Sequence, residues 1–198
     1  MTHLDRILDD GLDRDSWLTS RRTVIGASDA AKLAKASSVD LYLAAKLARS
    51  TFTGNAYTAS GHRWEPMMLA WAGIASNVAL IHAPDQPGFA ATPDGISATG
   101  ALTLAECKAR HGKATTGPSL GALRQIAWQF HCLPEAATLQ FLWVDVDIDV
   151  DEMTHDEPHL LVIPRTHPKV TAQTALILPI ATELLARLQA AHEFERDQ

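Results

Sequence analysis

The chain has 198 residues, 46% apolar and 20% charged, with a net charge of −6 when the histidines are neutral. That length supports one domain with a substantial core, and the composition excludes a disordered chain. The negative balance excludes a protein that coats nucleic acid through its whole surface, although a local basic groove stays open.

In chain order, Leu4, Ile7, Leu8 and Leu12 fall near helical spacing, followed by Trp17 and Leu18. They predict a short helix or two packing onto the core. Ser28 or Asp29 then suits an N-cap for a helix through about Lys35. An exposed serine at a helix N-terminus near Arg21, with Gly26 just before it, makes either a phosphate site or a plain capped surface helix. Ser38 or Asp40 caps a helix through about Ala48 with Leu41, Tyr42, Leu43 and Leu47 inward. A polar loop over Thr51–Ala59 follows. A longer helix from about Ser60 to Ile74 carries Trp64, Met67, Met68 and Trp71 as its core stripe. Glu65 is offset from that stripe, as a surface carboxylate or as an acid aimed at a site. Pro66 suits the helix's first turn.

Val78–His82 and Gly88–Thr92 are strand candidates, and the loop after Lys108 carries Arg110, His111 and Lys113. Ser119–His131 reads as a helix with Leu120, Leu123, Ile126 and Ala127 inward and Gln125 and Gln129 one turn apart. Thr138–Val146 reads as a central strand and Leu160–Ile163 as another. Pro168–Phe194 is helical with Leu176, Ile180, Leu184 and Leu188 as its apolar row. This order implies a mixed α/β sheet flanked by helices. It divides one domain, 1–198, into N-terminal helices (1–75), a sheet core (76–165) and a C-terminal helix (166–198). No apolar run appears long enough to span a bilayer, and the acidic N-terminal stretch lacks an export signal. Cys107 and Cys132 are therefore expected as free thiols in a reducing cytoplasm. Two cysteines do not supply the four thiolates of an iron–sulfur cluster.

The chemistry concentrates in Thr92–Lys108. Pro93-Asp94-Gly95 has turn composition and Gly100 marks a second break. Ala101–Lys108 reads as a strand, so Glu106 and Lys108 share a face. If the segment ending at Asp94 pairs antiparallel with it, two carboxylates and an ammonium meet at one end of a hairpin. Such a group suits a hard divalent cation and a water activated beside it.

Pro93-Asp94…Glu106-Cys107-Lys108 resembles the PD-(D/E)xK nuclease superfamily. Within it, the chain is most similar to the YqaJ-type viral recombinase nucleases, the group that includes phage lambda exonuclease. Four blocks in order carry the likeness over roughly residues 15–145. They are Arg21-x-Thr-Val-Ile-Gly-Ala-Ser28-Asp29, Gly61-x-x-x-Glu65-Pro66, Thr92-Pro-Asp-Gly95, and Leu104-Ala-Glu-Cys-Lys108 followed by Gln125. The resemblance implies a restriction-endonuclease-like core. It also implies Mg²⁺ (or Mn²⁺) on Asp94, Glu106 and the Cys107 backbone carbonyl. Lys108 would activate or orient the attacking water, or stabilise the phosphorane-like transition state, Glu65 would stand at the site's edge, and Gln125 would lie on the following helix. Arg21 and Ser28 match positions that hold the 5′-phosphate of a duplex DNA end. The implied activity is 5′→3′ exonucleolytic hydrolysis in phage-type recombination in a bacterial host cytoplasm. A homotrimeric ring and a single-strand annealing partner are implied with it. Position 127 is Ala127 where relatives often have a second glutamine or an aromatic.

The rival readings are a structure-specific or restriction-type endonuclease, and an inactive DNA-end-binding module. The histidines form no tight zinc pattern. His82 is a weak candidate ligand, and Trp17 is the tryptophan most able to stack on a base. The alternation Asp145-Val-Asp-Ile-Asp-Val-Asp reads first as a solvated edge that discourages edge pairing, and second as a cation site.

Overall fold

In a computed structural model, the chain is described at residues 2–48, 55–97, 99–112, 116–147 and 149–197. Arg49, Lys113 and the 51–54 part of the expected loop lie outside these residues.

The main sheet is built on β6 (Thr103–His111) and β7 (Thr138–Asp147), paired in parallel from Thr103↔Thr138 to His111↔Val146. Parallel neighbours need a crossover, and α5 (Leu120–Cys132) supplies it. β5 (Gly95–Ile96) pairs antiparallel with β6 through Gly95↔Ala105, and β2 (Ala75–Ser76) pairs with β5. On the other side of β7 lie β8 (Glu152–Met153) at its end and β9 (His159–Pro164) along Thr138–Trp143. The result is a mixed α/β sheet flanked by helices, as expected.

Alternation divides the sheet's residues between two faces. Ala105, Cys107, Leu142 and Val144 pack under Met68 and Leu69 of α4 (Ala56–Ala72). Leu104, Leu139, Phe141 and Trp143 belong to the larger core with Ile126, Ala127 and Phe130 of α5. Ile177, Ile180, Leu184 and Leu188 of α6 (Pro168–Arg196) close the same core. By length and composition α6 is long and apolar enough to cross a membrane, contrary to the expectation above, and here seven of its residues are buried within the protein.

Several expectations shift. Ile7–Asp9 is not helical; it forms β1, which pairs with β3 (Leu80–Ala83), and β3 with β4 (Gln86–Ala91), in a separate antiparallel sheet. α1 (Arg14–Arg22) follows. α2 is only Ala27–Ala30, capped by Gly26 and not by Ser28 or Asp29. The Asp29 carboxylate accepts from the Gly26 N–H at 2.8 Å, and i→i−3 bonds at Lys32 and Leu33 tighten the chain so that Leu33 enters the core.

Leu41 of α3 (Val39–Leu47), Trp71 of α4 and Leu176 of α6 are exposed, whereas Met68 of α4 and Ile180, Leu184 and Leu188 of α6 are buried as expected. α4 begins earlier than expected because Asn55 caps it, accepting from the Thr58 N–H at 3.0 Å. Pro66 is thereby interior and deprives the His62 carbonyl of its helical partner. A feature with no local signal is Arg6, 1% exposed. It donates to the carbonyls of His82 and Cys132 and doubly to Glu135, fastening the N-terminal segment to the end of α5.

Candidate active site

Asp94 ends the segment leading into β5. Its N–H donates to the Ala105 carbonyl at 3.1 Å. Its Oδ2 accepts from the Cys107 N–H at 2.7 Å, which sets the carboxylate beside β6 at the level of Glu106 and Lys108. In a strand the N–H and C=O of one residue point to the same side, so the Cys107 carbonyl also faces Asp94. Pro93-Asp94-Gly95 is not the tight turn its composition suggests. Gly95 is an extended strand residue, and a Cβ there would meet Ile74 and Leu69 side chains at 2.8 Å. Glycine is required here for space, whereas Gly100, at φ +76°, makes the turn between β5 and β6.

Glu106 is fully buried. Lys108 Nζ donates to its Oε1 and Gln129 Nε2 to its Oε2. Each carboxylate oxygen has a second lone pair, so both retain capacity for a cation. Burial raises the Asp94 carboxyl well above its ordinary range; Glu106 and Glu65 add to this, and Lys108 and the Cys107 N–H oppose it. Burial also raises Glu65, with His62 opposing and Glu106 adding. Burial works against the charge of Lys108, but Glu106 and Asp94 outweigh it and hold the ammonium above lysine's usual range. Burial and the surrounding acids push the Cys107 thiol up, so it is inert. Asp94, Glu106 and Glu65 repel one another electrostatically, and Lys108 opposes that repulsion. The oxygens of Asp94 and Glu106 and the Cys107 carbonyl are the kind of donors a hard divalent cation takes.

The α5 glutamine that bonds Glu106 is Gln129, not Gln125. α5 runs back along the strands it connects, so its start lies near Lys108 and Arg110 and its later turns near Glu106. Gln125 is half-buried and one turn, about 6 Å, from the glutamine that reaches Glu106. The signal for Gln129 was present: a glutamine in a contiguous buried arc with Ile126, Ala127 and Phe130 needs a polar partner. His82 lies in β3 of the smaller sheet, with its Nδ1 2.6 Å from the Ala83 carbonyl.

The N-terminal block forms a second locus. Arg21 donates to the Ser28 hydroxyl and lies over the Trp17 ring at 5.1 Å, so that indole already carries a cation. A cavity of about 230 Å³ beside it is lined by Arg21, Arg22, Lys32 and Lys46, with Asp29 as the one carboxylate. Asp29 is engaged by Lys46 at 2.7 Å. Burial lowers the Lys46 ammonium, Asp29 opposes this, and Arg21 and Lys32 lower it further. α2 packs on α5, where Arg124 donates to the Ala31 carbonyl at 3.3 Å, so one helix touches both loci.

Asp145 is not on a solvated edge. β7 is flanked on both sides, and Asp145 is only 7% exposed, with His155 and His159 around it. These three residues are a group able to hold a metal ion.

No protein-family model and no curated protein matches the chain. Solved structures do. The alkaline exonuclease LHK-Exo of Laribacter hongkongensis superposes with a TM-score of 0.65 at 21% identity, over 92% of this chain and 96% of that one. Its complex with dAMP gives 0.63 at 22% identity, with the same coverage. A phage-related exonuclease from Haemophilus somnus 129PT gives 0.55 at 13% identity, over 96% of this chain and 93% of that one. At these identities the likeness is one of fold: the chain has the lambda-exonuclease-like α/β fold of these enzymes, a mixed sheet flanked by helices.

Proposed function

We propose that this protein is a metal-dependent DNA exonuclease acting 5′→3′ on duplex ends. The observation that carries the reading is the position of Asp94, bonded to the Cys107 N–H between Glu106 and Lys108, in an exonuclease fold. Asp94, Glu106 and the Cys107 carbonyl would hold Mg²⁺, and Mn²⁺ suits the same oxygens. Such an ion would supply Lewis acidity to offset charge on the scissile phosphate. Lys108, kept charged by its acidic neighbours, orients the attacking water and offers positive charge to the phosphorane-like transition state. Gln129 holds Glu106 in place, and Glu65 completes the edge. Arg21 and Ser28, with Lys32 and Lys46 behind them, receive the 5′-phosphate of a DNA end, which sets the polarity. The dAMP complex of LHK-Exo is consistent with a nucleotide substrate.

Basic residues gathered on a DNA track reconcile the net charge of −6 with DNA binding. A homotrimeric ring, a single-strand annealing partner, a role in phage-type recombination and a bacterial cytoplasmic setting complete the reading. Digestion of end-labelled linear duplex tests it, with and without 5′-phosphate, in Mg²⁺ or chelator, beside closed circular DNA. Mg²⁺-dependent release of nucleotides from phosphorylated linear ends, abolished in Asp94→Ala, is expected. Wild-type release by Asp94→Ala would remove the site assignment. Cutting of closed circles would replace the exonuclease with an endonuclease.

A further inference from the structure

Asp145, His155 and His159 take no part in the chemistry proposed above. They come from three segments. Asp145 lies on β7 in register with Arg110 of β6, and its side chain is 8% exposed. His159 opens β9, opposite Trp143, and its ring stacks on that indole with centroids 4.9 Å apart. His155 lies between β8 and β9. The preceding Thr154 donates its N–H and its hydroxyl to the Asp145 carbonyl at 2.9 and 3.2 Å, which fixes where that connection starts. The two imidazoles meet edge to face, centroids 5.1 Å apart.

Asp145 Oδ2 is 3.4 Å from His159 Nε2 and 3.9 Å from His155 Nε2. Those distances are long for strong hydrogen bonds. They approach the separation of about 3.3–3.4 Å between ligand atoms placed about 2.0–2.1 Å from a tetrahedral dication. The ligand atoms of all three residues fall within 4.8 Å of one another. The other carboxylate oxygen, Asp145 Oδ1, is buried with no hydrogen-bond partner. An unsatisfied oxygen on a buried carboxylate is costly, and a cation bound to the same carboxylate reduces that cost by drawing off its charge. Among the described residues, Arg110 is a neighbouring charge that opposes a cation and is itself attracted by Asp145. Its guanidinium donates to the Gly117 carbonyl and lies over the Trp143 and Phe141 rings at 4.7 and 5.4 Å.

We infer that Asp145, His155 and His159 form a second cation site, for a borderline transition-metal ion of the zinc type. Two imidazole nitrogens and one carboxylate favour such an ion over Mg²⁺, which prefers an all-oxygen set. Glu106 and Arg110 are four residues apart on β6, so the site lies about 13 Å along the sheet from the nuclease acids, at ~3.3 Å per residue. The two loci therefore do not share an ion. The bound ion ties the connection before β9 to β7. The exposed histidine side leaves it a position for water.

Zn²⁺ titration by calorimetry in excess Mg²⁺ tests this, with thermal unfolding in Zn²⁺ and in chelator. Three proteins are compared: the unvaried chain, His155→Gln/His159→Gln, and Asp94→Asn/Glu106→Gln. The first and third are expected to bind one Zn²⁺ with equal affinity and to melt higher in Zn²⁺. The histidine variant should melt like the unvaried chain in chelator and bind at least about tenfold more weakly, as losses around metal sites do. Zn²⁺ binding by the histidine variant equal to that of the unvaried chain would overturn the assignment. So would no Zn²⁺ binding by the unvaried chain, or loss of the Zn²⁺ site in Asp94→Asn/Glu106→Gln.

Discussion

Gln129→Met separates a positioning role from a packing role. Gln129 is fully buried; its Nε2 donates to Glu106 Oε2, while its Oε1 is buried without a partner. Methionine keeps the unbranched length and fills the same space. The change removes a hydrogen bond to a carboxylate, which contributes about 1.5–3 kcal/mol. It also removes an unsatisfied buried oxygen, which returns about 1–3 kcal/mol. Stranding a buried oxygen of Glu106 makes the loss the larger of the two, so unfolding free energy should fall by about 1–2 kcal/mol. Glu106 keeps Lys108 but loses its second restraint. Outer-shell losses of this kind weaken metal affinity or activity by about 10–100-fold. Urea unfolding in chelator, set against the Mg²⁺ dependence of nucleotide release, measures both. A fall of about 1–2 kcal/mol in unfolding free energy with an about 10–100-fold higher Mg²⁺ requirement is expected. A stability loss above about 3 kcal/mol with unchanged Mg²⁺ dependence would make Gln129 a packing residue with no part in positioning Glu106.

Asp94→Asn should stabilise the metal-free protein at pH 7–8 while abolishing hydrolysis. A carboxyl raised on folding lends stability that is full below its unfolded value of about 3.9 and lost as pH rises through the folded value. In chelator the variant should therefore melt above the unvaried chain near neutrality, and the gap should close toward pH 4. A lower melting temperature at pH 8 would contradict that sign. Mg²⁺ should raise the melting temperature of the unvaried chain more than that of the variant. Gly95→Ala places a Cβ 2.8 Å from Ile74 and Leu69 and 3.0 Å from the Ala75 carbonyl, and should cost about 1–3 kcal/mol in urea unfolding. Cys107 and Cys132 are buried, with thiols pushed up by burial, so a thiol reagent should label neither until the chain unfolds.

The carboxylates of the candidate site were legible because two local rules suffice for them. Strand alternation puts Glu106 and Lys108 on one face, and a hairpin brings Asp94 alongside. The helix from Leu120 and the strands at Thr138 and His159 were legible for the same reason, since periodicity is a property of neighbouring residues. β1 was not: its three residues become a strand only by pairing with β3, more than seventy residues away. Which glutamine serves Glu106 was also undecided, because Gln125 and Gln129 share one helix face. Only the crossover's direction along β6 selects between them.

Two readings failed where composition stood in for environment. Gly95 suggested a turn, but Leu69 and Ile74, both distant in sequence, make it a spacing residue in a strand. The alternating aspartates suggested a wet edge, but β8 and β9 cover β7 and bury Asp145 between two histidines. The sequence by itself determined which side chains can do chemistry and which elements carry them, because short-range sterics and periodicity set both. The tertiary structure alone decided which of them meet, because burial and pairing come from segments the chain brings together only on folding.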